Sequence, residues 1–207
     1  HAHLAALMAE TRDYGQAIGF ALDGTGYGDD GAIWGGEALV FDPAAYRRVF
    51  HLEYVPLPGS DAAAREPWRM AVAYCCHHGI DWRRYVKEPR AEQVAALLAS
   101  RIPQPQTSSL GRLFDAISSL CGLCQEATFE AKAPLLLEAA AETTDAPYDF
   151  SFTNGIIGTS GILQGVAADL DMGVGVGQIA GRFHETVATI VCACARAIRK
   201  ESGLNTV

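Results

Sequence analysis

Apolar and polar positions divide the chain into short runs with helical or extended character. Residues 4–12 (LAALMAETR) read as a helix. Residues 17–22 (AIGFAL) are a continuous apolar run ending at Asp23-Gly24, which predicts a buried strand entering a turn. Residues 37–42 and 46–57 continue as strands, the second partly alternating and bounded by Pro56 and Pro58. Asp61 is placed to cap a helical pattern over 62–78. Pro67 interrupts that pattern, and proline suits a helix's first turn, so the helix is expected to start there and stop at Gly79. Residues 90–101 form an amphipathic helix, and Pro103 and Pro105 mark a loop. Ser108 or Ser109 then caps a helix running to about Leu123. Residues 130–142 read as a helix and 149–157 as a strand. A long helix runs from about Gly177 to Glu201, with Gly203 as its stop. Residues 204–207 look like the entry to a further strand. Helix, strands, helices, strand, helix, without linker or repeat, predicts one α/β domain, expected to be truncated at both ends.

Composition narrows the function. With 49% hydrophobic and 19% charged residues, the 207-residue chain supports a core and is not a disordered segment. The 24 acidic residues exceed the 16 basic ones, giving −8, which argues against a broad nucleic-acid surface. No apolar run reaches the roughly 18 residues of a membrane helix. The chain opens on His1 without a charged segment leading into an apolar core, so no signal peptide is expected. Cys75, Cys76, Cys121, Cys124, Cys192 and Cys194 lie in apolar stretches, which points to a reducing, cytoplasmic protein. The Cys121-x-x-Cys124 spacing has no second half at zinc-site distance, so these cysteines read as buried small hydrophobes.

Three segments are candidates for chemistry. Asp23-Gly24-Thr25-Gly26-Tyr27-Gly28 opens the densest glycine cluster. Glycine admits close ligand approach, successive amides can cradle an anion, and an aspartate at a strand end can hold a metal. The same residues also suit a plain hairpin, and both readings stand on composition. No GK[ST] follows, and no helix opens on the cluster as a dinucleotide fingerprint requires. His1 and His3, two residues apart, do not share a helical face, so at most one is a ligand from a helix. Gly111 costs its helix stability and asks for a close approach by ligand or backbone. Asp115, one turn on, is placed to accept ribose hydroxyls or is a solvated surface acid. His51, His77, His78 and His184 are scattered without Ser-His-Asp or Cys-His spacing, and His77-His78 suits a helix C-terminus.

Taken together, residues 20–39 (FALDGTGYGDDGAIWGGEAL), 55–71 (VPLPGSDAAAREPWRMA), 107–122 (TSSLGRLFDAISSLCG) and 179–188 (IAGRFHETVA) resemble the hydrogenase-maturation carbamoyltransferase family, HypF. The opening HAHLAALMAE resembles the tail of its HHHAHLAA-type motif, and the likeness extends with gaps over nearly the whole chain. The resemblance implies an actin/sugar-kinase ATPase-like fold, with α/β lobes around a nucleotide cleft, and residues 1–207 as most of one carbamoyl-transfer domain. It implies ATP, carbamoyl phosphate and carbamoyl adenylate as ligands, and a divalent metal (Fe, Zn or Mg). The implied partner is a HypE-type acceptor whose C-terminal cysteine receives the carbamoyl group that becomes a cyanide ligand; no nucleic acid and no membrane is implied. By motif, His3 and Asp23 match metal ligands and His1 a non-ligand histidine. Gly24, Thr25 and Gly26 match a phosphate loop, and Gly111 and Asp115 the helix beside the ribose. One departure is that Phe129-Glu130 is followed by Ala131-Lys132 where many relatives have Gly-Gln, a methyl that narrows close approach. Alternatives are an O-carbamoyltransferase or tRNA threonylcarbamoyl transferase of the same fold, a nucleotide-binding scaffold without chemistry, or a zinc-structured interaction module.

Overall fold

The computed structural model describes residues 2–207; His1, read above as a non-ligand histidine, lies outside them. Helix α1 (Ala2–Thr11) leads into strands β1 (Ala17–Tyr27), β2 (Ile33–Phe41), β3 (Tyr46–Leu52) and β4 (Val55–Pro56). Next come α2 (Asp61–Arg65), α3 (Trp68–His77), a 3-10 turn at Trp82–Arg84, and α4 (Ala91–Ala99). They are followed by β5 (Gln106–Thr107), α5 (Leu110–Leu120) and α6 (Lys132–Ala140). The chain closes with β6 (Ser151–Thr153), β7 (Ile156–Gly158), α7 (Ser160–Asp171) and α8 (Val176–Ser202). β2 is the spine of a mixed sheet. It pairs antiparallel with β1 on one edge, and on the other with β3 and, at Ile33, with β5. β3 carries the sheet on to β7 and β6.

Four expectations are corrected. β1 does not end at Asp23 but continues to Tyr27, with the turn beyond it. The 46–57 run breaks at Glu53-Tyr54, where the chain leaves one sheet neighbour for another. The 62–78 pattern is two helices: Ser60, not Asp61, precedes the first, and Pro67 starts the second. Residues 149–157 form part of a hairpin turning at Asn154-Gly155, both with positive φ. The Ser109 cap is as expected, its hydroxyl accepting from the Arg112 amide.

The main core lies between the sheet and α3, α5 and α8. α3 is buried nearly throughout, from Trp68 to Cys75. α8, about 40 Å long at 1.5 Å per residue, buries one stripe that includes Ile179, Phe183, Ile190, Cys194 and Ile198, the spacing of a single helical face. A second, smaller cluster holds α1 on β1 and β2 through Leu4, Met8, Ala17, Leu39 and Phe41. Burying Leu4 and Met8 is worth about 1.5–3 kcal/mol each. The close seat depends on Gly19, where a Cβ would fall 2.4 Å from Leu4 Cδ1. This docking brings His3 beside Asp23, within β1. After α8 the tail returns to the sheet, with the Ile18 amide donating to the Thr206 carbonyl at 3.0 Å.

Candidate functional site

The site is organised by a bulge in β1. Leu22 pairs with Gly36 and Gly26 with Trp34, so Asp23, Gly24 and Thr25 stand opposite Gly35 alone. Such a bulge bends the strand and re-aims its side chains. Gly35 has φ +154°, and a Cβ there would lie 2.4 Å from the Asp23 carbonyl and 2.6 Å from its carboxylate. The N-terminus of α5 abuts the bulge from below, where the Ser109 hydroxyl donates to the Asp23 carbonyl at 2.6 Å. A Cβ on Gly111 would meet Gly24 Cα at 2.7 Å. Gly111 is therefore required by backbone approach, one of the two reasons its presence in a helix suggested.

Asp23 faces His3 across the mouth of a cleft of about 440 Å³, with His3 Nδ1 3.8 Å from Asp23 Oδ2. Asp23 Oδ1 is buried and accepts no hydrogen bond from any described residue. Thr25 and Gly26 line the same cleft, and Trp34, Leu39 and Tyr46 give it an apolar wall. Asp23 also lines an adjoining hollow of about 230 Å³ with Gly24 and Gly111. That hollow shares Arg112, Glu130 and Ala131 with a third, of about 350 Å³, which contains Asp115. Together they form a trough: His3 and the bulge at one end, Asp23 in the middle, Asp115 at the far end.

Asp115 is 3% exposed and not the solvated acid that helix position alone allowed. Burial pushes its carboxyl up to about 7, with the Arg112 guanidinium pulling the other way. Arg112 Nη1 lies 2.7 Å from Asp115 Oδ2, but the angle is poor, so neither atom has a hydrogen bond. The pair therefore gains charge attraction without full hydrogen bonding. Ala131, at the junction of the two outer hollows, has φ +60° and ψ +18°. Left-handed backbone favours glycine, so alanine carries strain at this position.

Sequence reasoning missed the charged floor of the cleft. Glu37, 1% exposed, accepts from the Gly35 and Gly36 amides at 2.6 and 2.7 Å and from Arg48 Nη2 at 2.9 Å and the Ser108 hydroxyl at 2.5 Å. Arg48 also donates to Tyr54 at 2.7 Å and to Asp30 at 3.2 Å, and lies over the Trp34 ring at 4.0 Å. Burial acts to raise the Asp30 carboxyl. Donors from Tyr54, Ala32 and Trp34, with the Arg48 charge, outweigh that effect and hold it below its ordinary value. The only signal for this network was two charged residues inside strand-like runs. Cys121 and Cys124 are buried and free, as read from their setting. No helix among the described residues is long and apolar enough to cross a membrane.

Residues 19–207 match the family model described as the carbamoyltransferase Kae1-like domain, second subdomain. The carbamoyltransferase HypF2 of Cupriavidus necator is 47% identical over 146 residues, covering 69% of this chain and 18% of that protein. A carbamoyltransferase HypF homolog of the same organism is 41% identical over 226 residues, covering 100% of this chain and 57% of that one. The chain thus spans less than two thirds of either relative. The crystal structure of full-length HypF in the phosphate- and nucleotide-bound form superposes with a TM-score of 0.92 at 33% identity, over 99% of this chain and 34% of that one. The crystal structure of T. kodakarensis HypF gives a TM-score of 0.87 at 28% identity, over 98% of this chain and 29% of that one. The actin/sugar-kinase-like α/β class implied by the sequence stands, and the chain belongs to the HypF family of carbamoyltransferases.

Proposed function

We propose that residues 1–207 form most of a carbamoyl-transfer domain that holds carbamoyl adenylate and presents it to a thiolate of a HypE-type acceptor during nickel–iron hydrogenase maturation. The observation that carries this reading is the placement of Asp23. One of its oxygens is buried without a hydrogen-bond donor, and the residue lines both the cleft beside His3 and the hollow over Gly111. That is the junction at which the phosphate of a nucleotide would lie, with its nucleoside toward Asp115. The relative described in a phosphate- and nucleotide-bound form supports it. Carbamoyl adenylate would be made from carbamoyl phosphate and ATP by other modules of the family, in the cytoplasm, a setting consistent with six free thiols.

His3 and Asp23 fit part of a divalent-metal ligand set (Fe, Zn or Mg), since an imidazole nitrogen and an unpartnered carboxylate oxygen converge on one cleft. A divalent ion bound there supplies charge neutralisation at the phosphate and carbamoyl oxygens. Asp23 and His3 fix that end of the ligand. The bulge at Gly24 and Thr25, with Gly26 next to it, allows the phosphate close to the main chain. Trp34 and Leu39 exclude water that would hydrolyse the mixed anhydride. The acceptor thiolate attacks the carbamoyl carbon, a C–S bond forms, and the C–O bond to phosphate breaks with its electron pair leaving on AMP. The chain's contribution is alignment and protection; none of its cysteines is needed as nucleophile.

The test supplies synthetic carbamoyl adenylate and an acceptor protein ending in cysteine, and detects the thiocarboxamide by mass spectrometry. The full-length protein that carries this chain should transfer and its Asp23→Ala variant should not, while both remain folded. Transfer by Asp23→Ala at the parental rate would refute the assignment. ADP binding without any transfer would favour the scaffold reading.

A further inference from the structure

Glu53, His77 and His78 converge at a place the proposed chemistry does not use. Glu53 sits in the break between β3 and β4, and the histidines end α3. His77 Nε2 lies 3.5 Å from Glu53 Oε2, and His78 Nε2 lies 3.4 Å from Glu53 Oε1. One ligating atom from each residue can be chosen so that all three fall within 4.8 Å of one another. We propose that these three residues are a binding site for a divalent transition metal of the zinc class, using two imidazoles and one carboxylate.

The geometry suits that ion. Zinc–nitrogen and zinc–oxygen bonds of about 2.0–2.1 Å in a tetrahedron put neighbouring ligand atoms about 3.3 Å apart. The His77 Nε2–Glu53 Oε2 separation is already within 0.2 Å of this value; His78 Nε2 lies 3.4 Å from the other carboxylate oxygen and 3.0 Å from the Thr159 hydroxyl, so the His78 ring turns from that hydroxyl toward Oε2 to complete the set. Their rings stand nearly perpendicular, edge to face, with centroids 4.8 Å apart. The outer shell is in place as well. Thr159, fully buried at the start of α7, donates both its amide and its hydroxyl to Glu53 Oε1. Oε1 is thereby held, and Oε2 is the oxygen turned to His77. Hydrogen bonds of this kind orient metal-ligating carboxylates. His78 is 6% exposed at its side chain and His77 34%, so one side of the site opens to solvent. Three protein ligands with an open fourth position is the arrangement that admits a water or a small anion. The ion would tie the β3–β4 break, the end of α3 and the start of α7 into one unit.

The experiment strips the intact chain of metal and titrates it with Co²⁺, following the visible absorption of a low-coordinate Co²⁺ centre, with bound metal counted by mass spectrometry after dialysis. The expected result is one equivalent that survives His3→Ala and is weakened at least tenfold in both His77→Gln and Glu53→Gln. Thr159→Ala, which removes an outer-shell donor and leaves the ligands, should weaken it about 10- to 100-fold. Metal at 100-fold over its dissociation constant should raise the Tm of the intact chain by about 5–10 °C and not that of His77→Gln. His77 is the exposed member, so its variant is expected to stay folded, and a circular-dichroism melt checks each protein. The proposal is overturned if the intact chain takes up no more Co²⁺ than His77→Gln. It is equally overturned if uptake is lost in His3→Ala and kept in His77→Gln.

Discussion

Replacing Asp115 with asparagine isolates the cost of a buried carboxylate in the trough. Burial raises this carboxyl from 3.8 to about 7 in the folded chain. Between those two pH values the native state keeps a proton that the unfolded state has released. Stability therefore falls as pH rises from about 4 to about 7 and is flat beyond, as far as this group is concerned. At about 1.36 kcal/mol per pH unit, the loss is on the order of 4 kcal/mol. Asp30, Glu66 and Glu88 are shifted in the opposite direction, so the whole-protein curve blunts the effect. The difference between Asp115→Asn and the parent removes those shared terms, because the amide does not titrate. Urea denaturation at four pH values from 4.5 to 8 gives the difference directly. The variant should gain on the parent by about 3–4 kcal/mol across that range. A difference that stays constant within about 0.5 kcal/mol would refute the reasoning, because Asp115 would then ionise in the fold as easily as in water.

Ala131→Gly should stabilise the chain by about 0.5–1 kcal/mol, since relief of left-handed strain at φ +60° exceeds the entropy cost of glycine; a lower Tm would contradict this. Arg48→Met leaves Glu37 buried without its cation and should cost about 3–5 kcal/mol in chemical denaturation; a loss under about 1 kcal/mol would mean the three neutral donors suffice. Gly111→Ala places a methyl 2.7 Å from Gly24 Cα and should cost about 1–3 kcal/mol, read as a drop in Tm whether or not nucleotide is present.

Features encoded by local pattern were legible from the sequence, and features set by a distant partner were not. α5 carried its own cap at Ser109, and α8 its own stripe and terminal Gly203. The bulge in β1 follows from pairing with β2 and from the approach of α5, neither visible in a glycine-rich stretch that alternates poorly. α7 went unrecognised because Gly161 and Gly165 weaken its helical pattern. Both glycines are explained by the segment packed on the helix: a Cβ at 161 would lie 2.5 Å from the Asp149 carbonyl, and one at 165 would lie 2.4 Å from the Tyr148 ring. Asp23 was singled out from its place at the end of an apolar run, and His3 from motif likeness. Glu37 and Asp115 were not recognisable as buried, because each depends on an arginine brought near by folding, Arg48 across the β2–β3 pairing and Arg112 one turn away. The i,i+3 spacing of Arg112 and Asp115 was visible but is equally common on solvated helices.

The central claim is that the trough on either side of Asp23 holds a nucleotide, phosphate toward His3 and ribose toward Asp115. Calorimetric titration with ADP of the full-length protein that carries this chain and of its Asp115→Ala variant tests it most directly. A hydrogen bond to a charged group is worth roughly 1.5–3 kcal/mol, so Asp115→Ala should bind about 10- to 150-fold more weakly. Binding by Asp115→Ala as tight as that of the parent, in a variant that melts as a folded protein, would contradict the account and leave Asp115 as a buried partner of Arg112 alone.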